Sequence, residues 1–383
     1  MSDQHLHTAL LDQPPLTAAR FAAIERRVAE VMGTAADVIV MQGEALLPLE
    51  GAIRSAARPG ATALNVITGP YGQTFGGWLR DCGAEVVDIE VPYDTAASAE
   101  RIAAALAEHP GTELVSLVHA EAATGNTNPV AEIGEVVRAH GALLMLDAVA
   151  SVAAEPLHTD AWGVDLCVIG AQKAMGGPAG VSAVSVGERA WERITANPRA
   201  PRRSYLSLLD WKERWIDAGR AALPHAPAQL EMLALEASID RIEATGGLAA
   251  SITRHRAAAA ATRAGTLALY DGAVPPAERL RPYVTAPRDA APVATTLRAP
   301  EALDARELVA AALAGTPSLP LVAGGGALAR EMIRVNHYGP DATPEVVERS
   351  LTALADALRA TGRDTDADAA RTAARAAWAA VAG

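Results

Sequence analysis

Between residues 38 and 186 the chain repeats one pattern: a short continuous apolar run, a turn residue, then apolar residues at helical spacing. The apolar runs lie at 38–41, 63–68, 85–91, 113–119, 142–149, 164–169 and 181–186. Helical spacing fills 45–57, 74–80, 97–108 and 130–140, and a helix over 21–32, stopped by Gly33, precedes them all. A strand that is apolar at successive positions is buried on both faces. Such strands, separated by helices, predict an α/β domain around a mostly parallel sheet.

The pattern changes after a Pro- and Arg-rich stretch at 197–203. A long helical region at 227–269 is interrupted at Gly246-Gly247. Strand-like pieces at 293–297 and 332–336 then sit among helices at 305–313 and 344–361. This half reads as a smaller C-terminal α+β domain. The expected organisation is a large α/β domain over 1–245, a small domain over 246–362 and a tail over 363–383. The tail reads as a surface helix or a frayed end. Alanine runs such as 257–261 read as helix filler of high propensity.

Half of the 383 residues are hydrophobic, enough for a large core and too many for global disorder. No apolar run reaches about 18 residues, so no membrane span is expected. Residues 1–13 lack the basic start and apolar stretch of a secretory signal. Two cysteines, Cys82 and Cys167, build neither a disulfide framework nor a four-thiolate metal site, which suits a reducing cytoplasm. A net charge of −12 disfavours nucleic acid and anionic membranes as partners and leaves small molecules.

Two residues carry the chemistry. Leu143-Leu144-Met145-Leu146-Asp147 brings a carboxylate to the carboxyl end of a buried strand, the edge where open α/β sheets bind ligands. Read alone, Asp147 is equally a cap of the following turn. Lys173 lies 26 residues later, in the small-residue loop Gly170-Ala171-Gln172-Lys173-Ala174-Met175-Gly176-Gly177-Pro178. The chain's other lysine is Lys212, and arginine supplies nearly all the positive charge. A partly desolvated lysine has a lowered pKa and becomes a nucleophilic amine. A carboxylate for a pyridine nitrogen and an amine for its aldehyde are what a pyridoxal ring needs.

From Asp147-Ala148-Val149-Ala150-Ser151, through Trp162, Gly163 and Asp165, to Gln172-Lys173, the chain resembles the class-V, fold-type I aminotransferases of the alanine–glyoxylate branch. The resemblance extends over about 21–359. It implies a large domain with a mostly parallel sheet, a small C-terminal domain, pyridoxal 5′-phosphate as cofactor and a homodimer with shared active sites. Lys173 would hold the cofactor as a Schiff base and Asp147 its ring nitrogen. Gly69-Pro70-Tyr71-Gly72-Gln73 resembles the loop whose aromatic residue, here Tyr71, stacks on the ring. His119-Ala120-Glu121-Ala122-Ala123-Thr124-Gly125 resembles a cofactor segment, which implicates His119 and Thr124. Arg334, in Ile333-Arg334-Val335-Asn336-His337-Tyr338-Gly339, matches the arginine that grips a substrate carboxylate.

Gln42-Gly43-Glu44-Ala45 stands where relatives hold the cofactor phosphate at a helix N-terminus, and Glu44 would repel it. Here the chain is more similar to pyridoxamine–pyruvate aminotransferases, as it is at Val91-Pro92-Tyr93, at 196–202 and at 206–211. Those enzymes take unphosphorylated pyridoxal or pyridoxamine as a substrate. In Pro224-His225-Ala226-Pro227, Ala226 replaces a hydroxyl that reaches the phosphate from the other subunit. His225 and Gln172 remain as phosphate donors. The L-x-x-G-P segment that lines the substrate site in relatives is not found ahead of Phe21. Their second carboxylate-binding arginine falls on Gly325, with Arg330 nearby.

The expected activity is a vitamin-B6-dependent transfer of an amino group to a small keto acid, pyruvate or glyoxylate. The alternatives are the pyridoxamine–pyruvate reaction, a lyase or desulfurase on the same fold, and an inert fold-type I binding protein.

Overall fold

Thr17 opens the first helix, α1 (Ala18–Met32), by accepting the N–H of Arg20. Gly33 ends it in the left-handed conformation at φ 64°. The computed structural model describes residue 10, residues 12–270 and residues 274–383. Residues 1–9 and 11, on which the expectation about a secretory signal rests, lie outside them.

Seven strands form the large sheet: β1 (Asp37–Gln42), β2 (Thr62–Ile67), β3 (Glu85–Glu90), β4 (Thr112–Val118) and, after the small hairpin β5 (Ala120–Glu121) and β6 (Asn126–Thr127), β7 (Leu143–Asp147), β8 (Leu166–Gly170) and β9 (Val181–Val186). Their order is β1-β9-β8-β7-β4-β2-β3. Only β9 runs against the others; it pairs antiparallel with both β1 and β8. Helices α2 (Leu46–Ala56), α3 (Pro70–Asp81), α4 (Ala99–Glu108) and α5 (Val130–His140) connect the strands. Every residue of β7, β8 and β9 is buried, so the middle of the sheet is covered on both faces.

The run at 69–73, read as a loop, is the first turn of α3, with Gly69 as its N-cap and Pro70 pre-set at the first helical position. No element is expected from the sequence at helix α6 (Glu188–Ala196), although Ala190, Trp191 and Ile194 lie buried on one face of it, nor at the short α7 (Leu208–Trp211), which runs into a π turn at Lys212–Ile216. Helices α8 (Gln229–Ala244) and α9 (Gly247–Leu267) part at Gly246 and Gly247, both at positive φ.

Beyond α9, four short strands make an antiparallel sheet of order β10-β11-β13-β12: β10 (Arg281–Pro282), β11 (Ala294–Arg298), β12 (Leu321–Ala323) and β13 (Met332–Asn336). Helices α10 (Ala305–Ala314) and α11 (Pro344–Ala360) complete its core. The chain closes with α12 (Ala367–Ala382), which packs along α9 and buries Ala370 and Ala374. The alanine run of α9 is therefore more than filler. Ala257, Ala258 and Ala261 are buried, and a Cβ on Gly265 would stand 3.0 Å from the Ala370 carbonyl oxygen. Small side chains let these helices approach closely. Among the described residues no helix is long and apolar enough to cross a membrane.

Candidate active site

Six strands of the large sheet point the same way, so residues that follow their ends gather on one edge. Asp147 is the last residue of β7, and Lys173 lies three residues beyond β8, its neighbour. Glu44 follows β1, Tyr71 follows β2, and Glu121 follows β4. Three of these groups, Asp147, Glu121 and Glu44, together with Arg334 of the small sheet, act on the charge of Lys173.

Asp147 is buried, and Val149 N–H donates to its Oδ1 at 2.9 Å. Burial pushes its pKa up to about 6; Lys173 and the Val149 N–H oppose the rise and Glu44 adds to it. Burial lowers the pKa of the Lys173 amine, while Asp147, Glu121 and Glu44 pull it back up. The Lys173 Nζ stands 5.5 Å from the centroid of the half-buried Tyr71 ring. Lys212 is engaged elsewhere, bonded to Asp217 at 2.9 Å and over the Trp191 ring. Arg241 on α8 donates to the carbonyls of Met175 and Gly176 and so clamps the lysine loop, a role its sequence context did not signal.

Arg334 sits on β13, between Thr296 of β11 and Val322 of β12, and is not on an edge strand. Its Nη1 lies 3.4 Å from the Ala122 carbonyl oxygen of the large domain, and its buried Nε has no partner among the described residues. Arg330, the nearby alternative, is exposed and pairs with Asp304 at 3.3 Å.

Glu44 occupies the N-terminus of α2. Leu46 N–H donates to its Oε2 and Gln172 Nε2 to its Oε1, both at 2.9 Å. Gly43 joins the group through its carbonyl, which accepts the Ser182 hydroxyl. His119 and Thr124 bond into the backbone around the site. His119 N–H donates to the Asp147 carbonyl at 2.8 Å, and its ring lies edge-on to Trp162. Burial drives the His119 imidazole down to about 3, so it is neutral. The Thr124 carbonyl accepts the Thr296 hydroxyl at 2.8 Å and ties the turn after β5 to the small domain. His225 packs beside Tyr205 and Trp211.

Glu121 belongs to the 119–125 motif, where the sequence alone assigns it no role. It is fully buried beside this cluster, and neither carboxylate oxygen has a hydrogen bond of ordinary geometry. The signal available was the one that marked Asp147, a carboxylate just past an apolar strand.

A vitamin-B6 ring is the group this arrangement suits. The amine, the strand-end carboxylate and the aromatic face are together, and Gln172 Oε1, Arg334 Nε and both Glu121 oxygens are buried polar atoms without partners. At the α2 terminus, however, Glu44 already takes the donors that a phosphate would use.

The sequence matches the aminotransferase class-V family over residues 12–286. It is 33% identical over 356 residues to a pyridoxamine–pyruvate transaminase of Mesorhizobium japonicum, covering 93% of this chain and 87% of that one. It is 27% identical to an alanine–glyoxylate aminotransferase of Drosophila melanogaster, over 81% of this chain and 76% of the relative. The crystal structure of a pyridoxamine–pyruvate aminotransferase from Mesorhizobium loti superposes with a TM-score of 0.88 at 32% identity, covering 97% of this chain and 93% of that one.

Proposed function

The chain belongs to the class-V aminotransferases, and from that premise we propose that it moves an amino group to a small keto acid, pyruvate or glyoxylate, with Lys173 and Asp147 at the centre. The observation that carries this reading is the meeting of a desolvated amine and a buried carboxylate at neighbouring strand ends, under the Tyr71 ring. When bound, the pyridoxal ring supplies the electron sink for the amino acid's α-carbon.

The chain's own residues do the rest. Lys173 holds the ring through its amine and, once free, carries a proton to and from the reacting carbon; burial keeps more of that amine neutral. Asp147 keeps a proton on the ring nitrogen. Tyr71 covers one face and excludes water. Arg334 binds the keto-acid carboxylate with its guanidinium fork. Gln172, Gly43, His119 and Thr124 frame the ring's pocket. We assign the working form to a homodimer in which His225 serves the partner's site, and two free thiols suit a reducing cytoplasm. Borohydride reduction in the presence of pyridoxal, followed by peptide mapping, should label Lys173; a label on Lys212 would sink the assignment.

One observation favours a second reading, that unphosphorylated B6 is itself a substrate. The Glu44 carboxylate fills the α2 terminus and holds the Gln172 amide. A carboxylate there repels a phosphate and can accept a hydrogen bond from a free hydroxymethyl group. Supplying pyridoxamine and pyruvate to the apo-protein, and following pyridoxal and alanine, separates the two. Multiple turnovers select the vitamin as substrate. No turnover with tight pyridoxal phosphate binding selects the ordinary transamination.

A further inference from the structure

Helix α3 begins without a side-chain cap. Its N-cap is Gly69, its first helical residue is Pro70, and Tyr71 and Gly72 are the first residues with N–H groups to satisfy. The Glu121 carboxylate fills the space against that terminus. A Cβ on Gly69 would stand 2.6 and 2.7 Å from the two Glu121 oxygens, so only glycine lets the carboxylate this close. The N–H groups of Gly72 and Tyr71 favour charge on Glu121 even without an ordinary hydrogen bond. The same turn grips the residue before Gly69: Asn126 donates to the Thr68 carbonyl at 2.8 Å and Asn128 to the Thr68 hydroxyl at 3.1 Å.

From this geometry we infer that Glu121 is the positioning residue for Tyr71. It supplies from a neighbouring strand the cap that Gly69 cannot, and so holds the ring at its place beside the Lys173 amine. The inference rests on the reading of Tyr71 as the aromatic cover of the B6 ring. The groups that act on Glu121 fit such a role. Burial raises its pKa to about 8 and Asp147 adds to the rise, while Lys173 opposes it. Tyr71 and Tyr93 in turn sense its charge. Glutamine keeps an oxygen of the same size facing the Tyr71 and Gly72 N–H groups, so it is the conservative replacement.

The test compares Glu121→Ala, Glu121→Gln, Gly69→Ala and the Gly69→Ala/Glu121→Ala pair. Amide hydrogen exchange in the apo-protein is read over residues 69–75, with 143–149 as the reference. Loss of a helix cap should speed exchange over 69–75 by about fivefold in Glu121→Ala and leave the reference unchanged. Glu121→Gln should exchange as wild type. Gly69→Ala should resemble Glu121→Ala, and the pair should be no worse than either, because both changes break one contact. The dissociation constant for pyridoxal should rise by about fivefold in Glu121→Ala and Gly69→Ala, and not in Glu121→Gln. Unchanged exchange in Glu121→Ala, glutamine as damaging as alanine, or additive losses in the pair would each overturn the inference. Wild-type protein that bound neither pyridoxal nor pyridoxal phosphate would overturn the proposed function, while the exchange data would still decide the role of Glu121.

Discussion

Asp147 is held where its charge costs stability, since burial raises its pKa to about 6. A residue kept there for the fold would be better replaced by its amide. Asp147→Asn should therefore leave the apo-protein's Tm at pH 8 unchanged or higher. Its kcat should fall by at least about a hundredfold, the size of a lost electrostatic stabilisation of a few kcal/mol. Near-wild-type turnover would reduce Asp147 to a turn cap. Arg334 makes the opposite case, a cation with one weak contact to a carbonyl and an unpartnered Nε. Arg334→Ala should raise KM for pyruvate or glyoxylate by at least about tenfold, since a lost charge-assisted pair costs roughly 1.5–3 kcal/mol. An unchanged KM would move the carboxylate site elsewhere. Arg330 is a poor successor, because Asp304 already engages it.

At the scale of elements, two glycines in helices flanking the site predict opposite outcomes. Gly77 lies exposed in α3 with nothing within 4 Å of where a Cβ would stand, so Gly77→Ala should stabilise the protein by about 0.5–1 kcal/mol through helix propensity. Gly134 lies buried in α5, where a Cβ would run into the Trp162 carbonyl oxygen. Gly134→Ala should cost about 1–3 kcal/mol, the usual range for overpacking. Urea denaturation of the two variants checks both signs. A neutral Gly134→Ala would mean that the 159–163 turn yields easily, and with it the backing of the His119 ring against Trp162.

The whole molecule holds several ionisable groups where burial disfavours their charged forms, and this sets its pH dependence. Burial raises Glu121 to about 8, Glu25 and Glu155 to about 7, and Asp147 to about 6. Their contribution to stability is complete below the ordinary carboxylate range near pH 4 and is lost as pH rises through 6 to 8. Burial lowers His119 and His337 to about 3 and His255 to about 4. That contribution is complete above about pH 6.5 and is lost as pH falls towards those values. The apo-protein's Tm should therefore change little between about pH 4.5 and 6.5, where the four carboxylates and three imidazoles oppose one another, and decline from about pH 6.5 toward pH 8. A Tm that climbs steadily from pH 5 to 8 would contradict this balance.

The sequence by itself determined the class of fold and most elements of the large sheet, because both follow from local periodicity. The runs that became β7 and β8 are continuous and apolar, helix α5 stops at the left-handed Gly141, and helix α11 starts at the Thr343 cap. It also pointed to Asp147 and Lys173, because a charge just past an apolar strand is a local signal. The direction of β9, the close seam of α9 on α12, the Glu44 bond to Gln172 and the approach of Glu121 to Gly69 were decided only by the tertiary structure. Glu44 and Gln172 are 128 residues apart, and Glu121 and Gly69 belong to different strand ends. No periodicity spans such separations. Chain order says which residues follow a strand; only the order of strands in the sheet says which of them meet.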